Sequence, residues 1–256
     1  MNVRASGLTF DYENFRLDVR DLTLAAGRLT SIVGPNGAGK STFLKCAAGV
    51  LAAPKGTLFV DGHDLAGMRG RDRARLVGYV PQEPAFTFNY SVLDFVLTGR
   101  AAFIPALGSP SAGDSRLAGE ALHYVGLDGF SGRTLLDLSS GERRLVLIAR
   151  ALAQESHILL LDEPTSFLDP RHEVETLELC RRLADRMGKT IILTLHNLEM
   201  AVQFSDAMVF MKGGRVLAAG PPARVLSEEL LRTVYDLDMK IVECSGRIFF
   251  AKSGLT

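Results

Sequence analysis

The sequence predicts an α/β domain built on a mixed, mostly parallel sheet. Three observations predict it. First, the apolar run "LTSIV" ends in a glycine-rich loop that opens a helical pattern, giving "SIVGPNGAGKSTFLK" at residues 31–45. Second, from residue 158 onward short apolar runs alternate with helical patterns: "ILLLDEP", "RHEVETLELCRRLADRMG", "TIILTLH", "NLEMAVQFS", "AMVFMKGGRVLAAG". Continuous apolar strands between helices are strands buried on both faces of a sheet. Third, a run of three helical segments, from about residue 84 to 155, interrupts this alternation: "SVLDFVLTGRAAF", "SRLAGEALHYVGL" and "SGERRLVLIARALAQE".

The elements follow in order. Residues 1–33 read as strands, with "GLTFDY" alternating apolar and polar positions. After the glycine loop, Phe43, Leu44, Ala47 and Leu51 share one side of a helix, and Pro54 is the expected stop. "GTLFVDGHDL" reads as a strand pair around a turn, and "RGRDRARLVGYVPQE" as a short basic helix and a strand ending at Gln82. Residues 104–115, rich in Gly, Pro and Ser, read as an exposed loop. A helix at "SEELLRTVYDL" and a hairpin turning at Ser245 and Gly246 close the chain.

Composition bounds the function. The chain has 256 residues, 47% apolar and 23% charged, and a formal net charge of zero. That length buries a substantial single core, and zero net charge argues against a broad electrostatic grip on nucleic acid or anionic lipid. Cys46, Cys180 and Cys244 are few, scattered and odd in number, so free thiols are expected rather than a disulfide or zinc framework. No signal core opens the chain, and no stretch reaches the ~18 apolar residues of a spanning helix.

Four clusters carry chemistry. "GPNGAGKS" at residues 34–41 fits the phosphate-binding pattern G-x-x-x-x-G-K-[ST], in its required place between strand and helix. Loop amides and a helix N-terminus converge on phosphate oxygens there. Lys40 supplies a mobile point charge toward the outer phosphates, and the Ser41 hydroxyl suits Mg²⁺. "ILLLDEP" ends in adjacent carboxylates. Neighbours on a strand point to opposite faces, but a strand's end can splay Asp162 and Glu163 toward one site, one for Mg²⁺ and one for an attacking water. His196 and Gln82 sit at the ends of other apolar strands, on the edge where ligands bind in such sheets. Finally, Ser139, Ser140 and Gly141 open an amphipathic helix. They read either as an ordinary N-cap or as a second anion site, and a second anion site beside one nucleotide loop suggests service to a neighbouring copy.

In this order the motifs resemble the ATP-binding subunit of ATP-binding-cassette (ABC) transporters over essentially the whole chain. The resemblance makes residues 34–42 the Walker A loop, Gln82 the glutamine-loop residue, 138–142 the signature, 158–162 Walker B, and "SFLD" a loop ending at Asp169. It implies a P-loop ABC ATPase fold: a mixed β-sheet core, an antiparallel β subdomain and an inserted α-helical subdomain. One domain is expected over residues 1–256, with the core and β subdomain at 1–84 and 156–225. The helical subdomain takes 85–155, and a short helix and hairpin take 226–256.

The resemblance also implies roles. ATP contacts fall on Tyr12, Gly34, Asn36, Gly37, Ala38, Gly39, Lys40, Ser41 and Thr42, on Ser139 and Gly141 in the signature of a second chain, and on Asp169, an interface residue. Tyr12 stacks on adenine, with Phe10 and Phe15 as rivals. Mg²⁺ falls to Ser41, Gln82 and Asp162. Glu163 is the general base, His196 the γ-phosphate sensor, and Gln82 a link to the membrane partner. Two chains bind head to tail and share two ATP, docked on a separate membrane permease at the cytoplasmic face. A periplasmic or extracellular substrate-binding protein takes part indirectly, and no nucleic acid is expected. The signature reads "LSSGE" where Leu-Ser-Gly-Gly-Gln is common. Ser140 and Glu142 are the departures, and Glu142 adds negative charge near the nucleotide. "SVLDFVLTGRAAF" and the short tail are similar to iron-siderophore, haem and cobalamin importers. A soluble cassette acting on DNA or ribosomes is the alternative, but the long coiled-coil insertion or second cassette of those types is missing. A nucleotide sensor without catalysis fits poorly beside Glu163 and His196.

Overall fold

The structure is a computed structural model and describes residues 1–12, 14–82, 89–105 and 107–252. The chain opens with three strands, β1 (Val3–Tyr12), β2 (Phe15–Leu24) and β3 (Leu29–Val33), then the glycine loop and helix α1 (Lys40–Ala48). Next come β4 (Leu58–Val60), β5 (His63–Asp64), α2 (Gly70–Leu76) and β6 (Val77–Val80). Helices α3 (Val92–Leu97), α4 (Ala112–Tyr124) and α5 (Ser140–Ala153) follow and pack on one another. The chain then alternates through β7 (Ile158–Leu161), α6 (Pro170–Met187), β8 (Thr190–Thr194), α7 (Leu198–Phe204), β9 (Ala207–Lys212) and β10 (Arg215–Gly220). Two helices, α8 (Pro222–Val225) and α9 (Glu228–Tyr235), and a separate hairpin, β11 (Met239–Cys244) and β12 (Arg247–Lys252), end the described chain.

Ten strands form one sheet in the order β5-β4-β1-β2-β10-β9-β3-β8-β7-β6. From β9 to β6 every neighbour pair is parallel, while β1 with β2 and β9 with β10 are antiparallel. The expected mixed sheet is therefore present, and its antiparallel strands continue the parallel ones. The apolar runs explain the layering. β3, β7 and β8 are buried at every residue. Alternate side chains leave opposite faces: Leu159, Leu161, Ile191 and Leu193 enter a core shared with α5 and α6, and Ile158, Leu160 and Ile192 enter one shared with α1 and the antiparallel strands.

Helix ends show where sequence signals compete. α1 stops at Gly49, which is left-handed (φ 71°) and donates to the carbonyls of Cys46 and Lys45. The expected stop at Pro54 comes too late, because a glycine that closes the last turn ends the helix first. α4 starts at Ala112, inside the stretch read as loop. Ser111 and Asp114 form a reciprocal capping box there, which outweighs the surrounding Gly and Ser. The closing hairpin turns at Ser245 and Gly246, both with positive φ (52° and 73°), as a two-residue hairpin turn requires.

β6 is the last strand of the sheet, and α5 side chains cover its open edge. Arg150 Nη2 donates to Tyr79 O (3.0 Å), and Gln154 Nε2 to Val77 O (2.9 Å). Carbonyls that lack a next strand thereby find donors. Among the described residues no helix is long and apolar enough to cross a membrane.

Gly99, after α3, lies directly on the α5 backbone. A Cβ there would fall 2.2 Å from the Arg150 carbonyl oxygen. Gly99→Ala is therefore expected to lower unfolding free energy by about 1–3 kcal/mol through forced separation of α3 from α5. Urea denaturation checks this, and an unchanged midpoint would contradict the close packing.

Candidate functional site

Four parallel strands deliver the site to one edge of the sheet. The glycine loop follows β3, the paired carboxylates follow β7, His196 follows β8 and Gln82 follows β6. Register brings them level, since Val80 pairs with Leu161 and Leu161 with Leu193.

The loop is shaped by glycines that no other residue replaces without strain. A Cβ on Gly34 (φ 151°) would lie 2.1 Å from the Met211 carbonyl oxygen. Gly39 caps α1 with φ 100°, and a Cβ there would meet the Phe15 ring at 2.9 Å. Residues 36–42, Tyr12, Phe15 and Glu163 line the cavity beside the loop. Tyr12 is half exposed and its ring centroid lies 6.4 Å from that of Phe15. Phe10 instead packs edge-on to Tyr12 and against the core, so two of the three candidate aromatics face the cavity.

Lys40 is placed differently from the mobile cation expected. The residue is 5% exposed, and its ammonium donates to the carbonyls of Gly34 (2.8 Å) and Pro35 (3.1 Å). A buried charge needs acceptors, and the loop's own carbonyls are at hand. Burial pushes its pKa down, opposed by the charges of Glu163 and Asp162.

Asp162 and Glu163 diverge at the end of β7. Asp162 is 2% exposed and accepts from Ser41 Oγ (2.8 Å), Thr194 Oγ1 (3.0 Å) and the Tyr79 hydroxyl (3.3 Å). Burial, then the Asp162 charge and hydrogen bond, push the Tyr79 phenol pKa up. Glu163 adopts a left-handed backbone (φ 46°), and its amide donates to Thr194 Oγ1 (2.7 Å). Its carboxylate accepts from Ser166 Oγ (2.8 Å) and from Gln82 Nε2, and lies 2.5 Å from His196 Nε2. Gln82 thus meets Glu163 rather than Asp162 or Ser41.

Ser41 and Asp162 present a hydroxyl and a carboxylate side by side, hard oxygens of the kind Mg²⁺ takes with phosphates. Among the described residues there is no cluster of three His, Cys, Asp or Glu.

Ser139, Gly141 and Asp169 lie at two other helix ends. Ser139 caps α5 in a full capping box. Its amide (2.7 Å) and hydroxyl (2.8 Å) both donate to Glu142 Oε2, and the Glu142 amide returns a bond to Ser139 Oγ. These bonds hold the Glu142 carboxyl below its ordinary pKa. Asp169 caps α6 through the amides of Arg171 and His172, and its other oxygen lies 2.6 Å from His172 Nδ1. The Gly141 backbone faces the His172 ring; a Cβ there would meet it at 3.2 Å. The side-chain hydrogen bonds of Ser139 and Asp169 stay within these caps. Sequence reasoning missed Thr194, Tyr79 and Ser166. The available signal was a polar side chain near the end of an apolar strand, three residues before Gln82 or two before His196.

Fold and site define an α/β protein with a phosphate-binding loop and paired carboxylates, a nucleotide-binding enzyme. The ABC transporter family matches residues 17–166. Over 238 residues the chain is 34% identical to the petrobactin import ATP-binding protein of Bacillus anthracis, covering 93% of this chain and 88% of that protein. Over 242 residues it is 40% identical to the hemin import ATP-binding protein of Rhodopseudomonas palustris, covering 91% and 87%. An inward-facing structure described as a metal-chelate type ABC transporter superposes with a TM-score of 0.84 at 31% identity, over 98% of this chain and 96% of that one. The chain belongs to the ABC transporter family as an ATP-binding subunit, a transport-coupled ATPase.

Thr194 joins the two carboxylates' supports, one hydroxyl serving Asp162 and the Glu163 amide. Thr194→Val removes that hydroxyl at nearly constant volume, leaving the Glu163 amide without its acceptor and Asp162 one donor short. Stability is expected to fall by about 1–3 kcal/mol, with Thr194→Ser recovering most of it. Thermal unfolding of both variants checks this, and equal stability of Thr194→Val and the parent would contradict the bridge.

Proposed function

We propose that this chain hydrolyses ATP to drive uptake of an iron or related metal chelate through a separate membrane permease. The observation that carries the catalytic part is the Glu163 carboxylate. It lies on the cavity beside the phosphate loop and is held from three sides by Gln82, Ser166 and His196. The loop amides, the N-terminus of α1 and Lys40 bind the phosphates. Glu163 takes the proton of the attacking water. His196, in contact with Glu163, reads the γ-phosphate. Tyr12 stacks on the base. Mg²⁺, when bound, neutralises charge on the outer phosphates, and Ser41 and Asp162 are the residues that would hold it. Ser139 and Gly141 serve the nucleotide of a second copy, because the α5 N-terminus presents backbone amides and the Ser139 and Ser140 hydroxyls of the kind that bind anions, and Asp169, which caps α6, lies at the interface between the copies.

The chelate assignment is supported by the iron-chelate and haem importers among its relatives and by the metal-chelate type structure. The subunit is peripheral, on the cytoplasmic face, two copies per permease pair, with a substrate-binding protein delivering cargo on the far side. The docking surface is the groove beside Gln82 together with residues 89–103. Residues 83–88, between Gln82 and that segment in sequence, lie outside the described residues. Asn89, ahead of α3, is exposed, and on α3 and its continuation Asp94 and Thr98 face outward while Val92, Val96 and Arg100 are buried.

Glu163→Gln is expected to cut turnover by about 10²–10⁴-fold with ATP affinity unchanged, and with ATP present to hold the protein as a dimer. Steady-state hydrolysis, nucleotide titration and light scattering measure these. Turnover near the parent's would remove Glu163 as base. Labelled-chelate uptake into vesicles carrying the permease, with ATP on the subunit's side, tests the cargo. Stimulation only by a sugar or peptide binding protein would overturn it.

A further inference from the structure

Arg144 sits in the second turn of α5, the helix whose first residues form the signature. Its guanidinium belongs to a residue only 6% exposed. One nitrogen donates to the Pro81 carbonyl (3.0 Å) and another to the Gln82 carbonyl (2.8 Å). These two acceptors follow the end of β6, on the sheet edge that no further strand covers. The planar fork of an arginine holds two acceptors at once with little freedom left. Gln82, fixed by its main chain in this way, sends its side-chain amide to the Glu163 carboxylate. Arg144 is therefore one side chain away from Gln82 and two from Glu163, while the same helix begins at Ser139 and Gly141.

The other α5 contacts to β6 do not reach the site. Arg150 binds Tyr79 O, and Gln154 binds Val77 O and Ala74 O, all upstream in the strand or the helix before it. Arg144 alone among these three grips the residue that touches Glu163.

We propose that Arg144 is a positioning residue for hydrolysis. It fixes the Gln82 main chain to the signature helix, so that seating of a neighbouring copy's nucleotide on Ser139 sets the Glu163 carboxylate of the same chain. This rests on the reading of Glu163 as the base. α5 moves as a unit, since nine of its fourteen residues are buried and its hydrogen-bonded backbone is continuous. A shift at its N-terminus is carried by the fork to Gln82, and by Gln82 to Glu163. Without the fork the helix still forms and Ser139 still binds phosphate, but the carboxylate loses its register with the signature.

The test uses the full chain with Arg144→Met, Arg144→Lys, Gln82→Ala and the double variant Arg144→Met/Gln82→Ala. For Arg144→Met, kcat is expected to fall about tenfold or more, with ATP affinity unchanged within about twofold. Arg144→Lys, which keeps one donor but not the fork, recovers part of the rate. The double variant is expected to be no slower than Gln82→Ala alone, because both act through one contact. A merely structural arginine gives additive losses, or a rate loss matched by the unfolded fraction in thermal denaturation. Either result overturns the proposal, as does parental kcat in Arg144→Met or in Gln82→Ala. If Arg144→Met does not fold, Arg144→Lys decides by the same split between kcat and affinity. Absence of ATP hydrolysis in the unsubstituted chain would overturn the catalytic reading itself, and this proposal with it.

Discussion

Two adjacent carboxylates at the end of one buried strand have to point to different tasks at a single site. On a regular strand, consecutive side chains leave opposite faces, which would send Asp162 and Glu163 into two different cores. The structure resolves this with a left-handed residue at Glu163 (φ 46°), an uncommon backbone for a non-glycine residue. Such a conformation persists when its surroundings fix it. Thr194 does so from the next strand, accepting the Glu163 amide and donating to Asp162. The parallel neighbouring of β7 and β8 is thus a condition of the site, as is β6 on the other side of β7, which brings Tyr79 to one carboxylate and Gln82 to the other.

The sheet explains why function gathers at one edge. Each parallel strand needs a crossover, and each crossover leaves from the same end. The glycine loop begins, and the carboxylates, His196 and Gln82 fall, within the first residue or two after β3, β7, β8 and β6. Glu142 fits the same economy of short polar contacts. In sequence it reads as added negative charge near a nucleotide. In the fold, its carboxylate is bound by the Ser139 amide and hydroxyl, so the charge helps to shape the N-terminus of α5.

The parallel strands and the phosphate loop were legible because their signals are local: unbroken apolar runs, and a glycine pattern with a strand before it and a helix after. Helix ends were less so. Pro54 looked like the stop of α1, but Gly49 closed the last turn first, and Ser111 began α4 inside an apparent loop. What escaped was non-local. Thr194, Tyr79 and Arg144 have no special pattern in their own segments and acquire partners only when distant elements become neighbours, at separations of 32 for Thr194 and 83 for Tyr79 from Asp162 and 62 for Arg144 from Gln82. Lys40 was found by pattern, but its docking on the loop carbonyls follows from burial, which a motif does not encode.

The central claim is that Glu163 stands where it can take a proton from water attacking a phosphate shared between two copies. A crystal structure of the Glu163→Gln protein with ATP and Mg²⁺ tests it most directly. The account predicts two chains head to tail, with each γ-phosphate between Lys40 of one chain and Ser139 of the other, and residue 163 within hydrogen-bond reach of a water in line with that phosphate. A nucleotide held by one chain alone, or a residue 163 turned away from the γ-phosphate, would contradict it.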